Sequence, residues 1–139
     1  MWVNDYIGLP WVSGGREFPN FDCWGLVRDV YMKQLNTELD VYPYNVADLD
    51  PVTKTMVRAM VRDLKQDWVE LDEPEDLCLV TMSTHKVPHH VGIFLALDGG
   101  LVLHSGEHQS ACCQTIRQLR HTQGFSSIRY FNHGTLHSS

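Results

Sequence analysis

The chain has 139 residues, which is enough for one domain with a hydrophobic core and too few for two. Apolar residues make up 43% of the sequence and charged residues 20%, a composition typical of a globular protein and not of a disordered one. The formal net charge is −6, and five acidic residues lie within positions 70–76, so no basic face is expected and nucleic-acid binding is disfavoured. We therefore predict a single domain over residues 1–139, with a loose tail over about residues 133–139.

No targeting or membrane-spanning segment is recognisable in the sequence. The first six residues carry no basic flank, and the longest apolar run, residues 91–97, is far shorter than the ~20 residues that cross a bilayer. We therefore expect no membrane insertion, and synthesis in a reducing compartment in which the four cysteines remain thiols.

Two helices are predicted in the first half of the chain. The first covers about residues 22–36, where apolar residues recur at steps of three and four, and Asp22 is in position to cap it. The second covers about residues 50–67 and has a proline in its first turn. The apolar stripe of the first helix consists of Trp24, Val27, Val30, Tyr31 and Leu35.

Short β-rich runs dominate from residue 68 onward. Strands are predicted over residues 68–71, 77–82, 90–97, 101–105 and 127–131. The sequence Asp98-Gly99-Gly100 predicts a hairpin turn between the third and fourth of these strands. Helices followed by strands, without β-α-β alternation, indicate an α+β fold in which N-terminal helices pack on a mainly antiparallel sheet.

Cys23 is the first residue after the predicted helix cap. Backbone amides and the positive end of the helix dipole stabilise a thiolate there, so its pKa is expected below ~8.5. Gly25 and the preceding Gly14-Gly15 pair, which have no side chains, could let a substrate backbone approach closely. The alternative is that Cys23 is only a small buried residue. Cys78, between two leucines, is predicted to be a core residue.

His90 and His104 are the candidate base and orienting group for such a thiol. A turn centred on Asp98 would pair Gly92 with His104 and put both histidines on one face, roughly 6–7 Å apart. A two-residue turn at the glycines would instead pair Leu95 with His104 and put the histidines on opposite faces. The sequence leaves both registers open.

The remaining histidines offer two alternatives. His85 and His89 are second-choice bases in a predicted loop. Together with His90, His104 and the cysteines they could also form a zinc site. The sequence contains neither C-x-x-C nor H-E-x-x-H, so the zinc hypothesis rests on composition alone, and we predict no metal and no cofactor.

Five segments together resemble a known family. YIGLPWVSGG at residues 6–15 and FDCWGLV at residues 21–27 resemble the start of the NlpC-like cell-wall peptidase domain. EPEDL at residues 73–77 resembles its pre-strand motif, and HVGIFL at residues 90–95 and LHS at residues 103–105 resemble its two histidine strands. The resemblance covers most of residues 6–105 and implies a papain-like fold.

The resemblance also implies roles for particular residues. Cys23 would be the nucleophile, His90 the base and His104 the orienting group of a Cys-His-His cysteine peptidase. Asp22 would help to hold a free amino group of a peptidoglycan (murein) stem peptide. Trp11 and Trp24 replace a tyrosine and a serine that are usual in the family, so both are predicted to shape the substrate pocket.

The tryptophan after the cysteine, followed by Gly-Leu-Val-Arg, most resembles the branch of the family found in bacteriophage tail proteins. This implies synthesis in the bacterial host cytoplasm, a place in the virion tail beside tail-tip or baseplate proteins, and action on peptidoglycan in the host periplasm or cell wall. The alternative is a catalytically silent structural tail component that keeps the same fold, because Trp11 and Trp24 could plug the pocket.

Overall fold

The computed structural model describes residues 1–12, 15–39, 68–83, 90–106 and 109–133. The predicted second helix, residues 50–67, lies outside the described residues, and so does the tail beyond residue 133. Within the described segments, no helix has the length and hydropathy needed to span a membrane.

The N-terminal part leads into one long helix. A 3₁₀ helix, Trp2–Asp5, is followed by a small hairpin of strands β1, Arg16–Glu17, and β2, Asn20–Phe21, and then by helix α1, Cys23–Leu35. Asp22 caps α1 by accepting a hydrogen bond from the Gly25 amide, as the sequence predicts. The helix ends at Asn36, which adopts a left-handed conformation with φ of 49°.

Six strands form the main sheet within the described part of the chain. They are β3 Trp68–Leu71, β4 Leu79–Ser83, β5 His90–Leu95, β6 Leu101–Gly106, β7 Gln109–Gln114 and β8 Ser127–His133, and a short helix α2, Ile116–His121, lies between β7 and β8. The order across the sheet is β3-β8-β4-β5-β6-β7, and every neighbouring pair is antiparallel. The structure therefore confirms the α+β class with an antiparallel sheet.

The two faces of the sheet bury separate apolar clusters. On one face, α1 packs against β5 and β6, and its buried side chains share a cluster with Ile93 and Leu103. On the other face, Phe94 and Val102 pack with Phe125 and with α2. Because side chains alternate along a strand, His90 and His104 belong to the second face.

The C-terminal strand extends further than the sequence indicates. His133 pairs with Trp68 in the ladder between β3 and β8, and the two rings meet edge-on with centroids 5.0 Å apart. Cross-strand pairing and an aromatic contact therefore hold His133 in the sheet, and the looseness of the tail after it stays a prediction.

Candidate active site

Cys23 lies at the N-terminus of α1, as predicted. It is 7% exposed and belongs to the cluster that joins α1 to β5 and β6. Oδ1 of Asp22 accepts a 2.7 Å hydrogen bond from the Gly25 amide, which fixes the first turn of the helix. All four cysteines of the chain are thiols.

The glycines around this turn allow segments of the protein's own backbone to approach each other closely. A Cβ on Gly25 would lie 2.1 Å from the carbonyl oxygen of Gly15, and a Cβ on Gly15 would lie 2.4 Å from that of Asn20. The same Gly15 carbonyl accepts a hydrogen bond from the Asp22 amide. For Gly15 and Gly25 the expectation that they admit a substrate backbone was therefore wrong, because the segment before α1 already fills that space; Gly14 lies outside the described residues.

The hairpin between β5 and β6 brings the two candidate histidines together. Ile93 pairs with Leu103 and Leu95 with Leu101, so the turn is centred on Asp98, which adopts a left-handed φ of 50°. Of the two registers that the sequence leaves open, this is the one that puts both histidines on one face. Nε2 of His90 lies 2.9 Å from Nδ1 of His104, and the rings meet nearly perpendicular.

Gln114, a residue that the sequence reasoning missed, completes this hydrogen-bonded chain. Its Oε1 lies 2.7 Å from Nε2 of His104. His104 is 2% exposed, and this burial lowers the pKa of its imidazole, an effect that the bond to Gln114 partly offsets. Gln114 lies in β7, a strand that we did not predict, so no signal pointed to it.

Phe125 is a second residue that the sequence reasoning missed. Its ring stacks on His90 with the planes 4° apart and the centroids separated by 5.7 Å. Phe125 is itself buried in the second apolar cluster. The His90 imidazole is therefore held on its flat side by Phe125 and at its Nε2 edge by His104.

The three predicted substrate-binding residues have different surroundings. Trp24 is 2% exposed and belongs to the apolar cluster between α1 and the sheet, and its role in the substrate pocket stays a prediction. Trp11 is partly exposed and forms a parallel bridge with Phe21, two residues before Cys23. Asp22 caps the helix, and its role in holding a substrate amine stays a prediction.

The other cysteines and histidines are spread over several environments. Cys78 is buried, which confirms it as a core residue, and burial raises the pKa of its thiol to about 11. Cys112 lies opposite His104 in the ladder between β6 and β7, with Sγ 3.9 Å from Nε2. His85 and His89 fall outside the described residues, and within the described ones no group of three His, Cys, Asp or Glu side chains is arranged to hold a metal ion.

The fold is that of a papain-like α+β domain. The solved structure of the NlpC/p60 domain of the peptidoglycan hydrolase SagA matches this fold with a TM-score of 0.59 and 19% sequence identity, over 92% of this chain and 91% of that one. The model of the NlpC/P60 family matches residues 8–129, and the chain belongs to this family. A search of curated proteins found no match.

Proposed function

We propose that the chain is a cysteine peptidase that cleaves a peptide amide in the stem peptides of peptidoglycan. The observation that carries the proposal is the hydrogen bond between His90 and His104 in strands that pack against α1, the helix that begins with Cys23. Membership of the NlpC/P60 family supports this chemistry. The peptidoglycan hydrolase SagA, which has a domain of the same fold, supports the substrate class.

The proposed reaction has two halves. In the first, the Cys23 thiolate attacks the carbonyl carbon, His90 gives its proton to the leaving amine, and a thioester forms as the C–N bond breaks. In the second, His90 takes a proton from water, the hydroxide attacks the thioester, and the thiol is regenerated as the carboxylate leaves. The Cys23 amide, at the positive end of α1, would stabilise the oxyanion.

This reaction requires the Cys23 thiol and the His90 ring to approach each other within hydrogen-bond reach. Two features support such an approach. His90 is the first residue of β5. The segment that leads to Cys23 is held near the histidines by a hydrogen bond from the Ala111 amide to the Leu9 carbonyl oxygen. Ala111 directly precedes Cys112, which pairs with His104 in the ladder between β6 and β7.

The proposed substrate contacts are Asp22 and Trp11. A carboxylate beside the nucleophile would attract the free amino group of a stem peptide. Trp11 is joined to Phe21 by the parallel bridge and so lies close in structure to Asp22. An indole there would supply apolar contact area.

The proposal is tested by digesting purified peptidoglycan with the wild type, with Cys23→Ala and with Cys112→Ala as the matched control. The wild type and Cys112→Ala should release soluble peptides with new amino and carboxyl ends. Cys23→Ala should release none while its melting temperature stays close to that of the wild type. Equal release by Cys23→Ala would contradict the mechanism, and no release by the wild type would favour the catalytically silent alternative.

We further propose that the protein is a virion component that acts at a phage tail tip or baseplate. The support is CWGLVR at residues 23–28, which resembles the tail-associated branch of the family. Mass spectrometry of purified tails from a phage that encodes this chain should detect it in amounts comparable to those of known tail-tip proteins. Its absence from the tails would contradict this location and leave the peptidase proposal standing.

A further inference from the structure

Gln114 is the last of three side chains that are linked in series by hydrogen bonds at imidazole nitrogens. The distance from His90 Nε2 to His104 Nδ1 is 2.9 Å, and from His104 Nε2 to Gln114 Oε1 it is 2.7 Å. A carboxamide oxygen can only accept a hydrogen bond, so the hydrogen in the second bond must be on Nε2 of His104. The position of the hydrogen at the Gln114 end of this series is therefore fixed.

The direction of the second bond determines that of the first. Burial lowers the pKa of His104, which favours a neutral ring with a single hydrogen. With that hydrogen on Nε2, Nδ1 of His104 is an acceptor, and His90 must donate from its own Nε2. A neutral His90 then has its lone pair on Nδ1, the nitrogen on the other side of the ring from His104.

We infer that Gln114 is a positioning residue that selects the tautomers of both His104 and His90. Its catalytic consequence, that Nδ1 of His90 takes the proton from Cys23 and passes it to the leaving amine, rests on the proposed function. The tautomers themselves do not depend on it, because they follow from the hydrogen bonds of the protein alone.

The surroundings favour Gln114 over its rival, Cys112. Sγ of Cys112 lies 3.9 Å from the same His104 nitrogen, and a thiol is a weak acceptor, whereas Oε1 of Gln114 makes a short bond. Nε2 of Gln123 lies 3.5 Å from the same Oε1 and so helps to keep the oxygen turned toward His104. The opposite amide orientation would point an NH₂ group at His104 and reverse both tautomers.

The test is long-range ¹H–¹⁵N NMR of the imidazoles in the ¹⁵N-labelled full chain near neutral pH, without substrate. We expect the ¹⁵N shifts of a protonated Nε2 and an unprotonated Nδ1 on both rings. The reverse pattern on His104, with the hydrogen on Nδ1, would overturn the inference. Because this readout needs no turnover, an inactive wild type would contradict the proposed function without deciding the tautomers.

Three variants separate positioning from packing. Gln114→Leu keeps the side-chain volume but removes the acceptor, so His104 should populate both tautomers and kcat should fall at least ~10-fold with KM nearly unchanged. Gln114→Glu restores an acceptor oxygen and should restore the Nε2–H tautomer. Cys112→Ala should leave the tautomers and kcat as in the wild type. Unchanged tautomers in Gln114→Leu, or altered ones in Cys112→Ala, would refute the assignment to Gln114.

Discussion

Gly92 is the residue at which stability and the histidine geometry are most directly linked. It lies in β5, two residues after His90 on the same face. A Cβ at this position would be 2.8 Å from the Leu103 carbonyl oxygen, 2.8 Å from Val102 Cγ1 and 3.0 Å from His104 Cβ. Replacing Gly92 with alanine should therefore push β6, and with it His104, away from β5.

The size of the effect follows from these distances. Ordinary van der Waals contact begins at 3.4 Å, so the neighbours at 2.8 Å must move by about 0.6 Å. Overpacking of this kind costs ~1–3 kcal/mol, or roughly 3–10 °C in melting temperature for a domain of this size. A shift of that size directed away from His90 would lengthen the 2.9 Å histidine bond to about 3.5 Å, the limit of a hydrogen bond.

The assay compares Gly92→Ala with Gly106→Ala by thermal melting and by peptide release from peptidoglycan. The control is matched, since Gly106 lies in β6 and a Cβ there would be 3.9 Å from His90 Cε1, an ordinary contact. Gly92→Ala should melt lower and release peptides ~10-fold more slowly, whereas Gly106→Ala should resemble the wild type. If the two variants melt at the same temperature, the reasoning about the hairpin is refuted.

Two further predictions concern buried polar groups. Thr81 is 1% exposed and its hydroxyl has no hydrogen-bond partner among the described residues, so Thr81→Val should raise the free energy of unfolding by about 1 kcal/mol in urea titrations. The reciprocal control Val80→Thr should lower it, and destabilisation by Thr81→Val would show that the hydroxyl is paired. Because burial lowers the pKa of His104, the unfolded chain binds that proton more tightly and stability should fall as the pH drops below about 6.5. His104→Gln should show a smaller fall in melting temperature between about pH 7 and pH 5.5, and an equal fall would contradict this.

Local signals in the sequence were sufficient for α1 and for most of the sheet. Asp22 caps the helix because a side-chain acceptor before an apolar stripe satisfies its first amides. The stripe also placed Trp24 on the buried face, and the structure agrees with it. The pocket role of Trp24 came from family resemblance alone and stays a prediction.

The register of the histidine hairpin could not be obtained from the sequence. Both turns suit the Asp98-Gly99-Gly100 segment, and the choice depends on the pairing of whole strands and on Asp98 accepting a positive φ. The order of the strands in the sheet is equally non-local, since β8 inserts between β3 and β4.

The elements that the sequence did not predict differ in the strength of their sequence signals. Strand β7 has two adjacent cysteines in place of a clear polar alternation, so Gln114 had no pattern around it. Helix α2 does have a signal, because Thr115 and Gln118 form a capping box of the S/T-x-x-E/Q type. Phe125 lies after this helix, and only the packing of the second face brings it onto His90.

The pH dependence of Cys23 alkylation tests the central claim most directly. Tryptic cleavage at Arg16 and Arg28 yields a peptide with Cys23 as its only cysteine, so iodoacetamide labelling of this thiol can be followed by mass spectrometry against buried Cys78. The apparent pKa of labelling, rather than its absolute rate, removes the effect of the limited exposure of Cys23. We predict a Cys23 pKa below ~8.5 that rises in His90→Ala. A Cys23 pKa at or above ~8.5 that is the same in both proteins would contradict a thiol primed by His90.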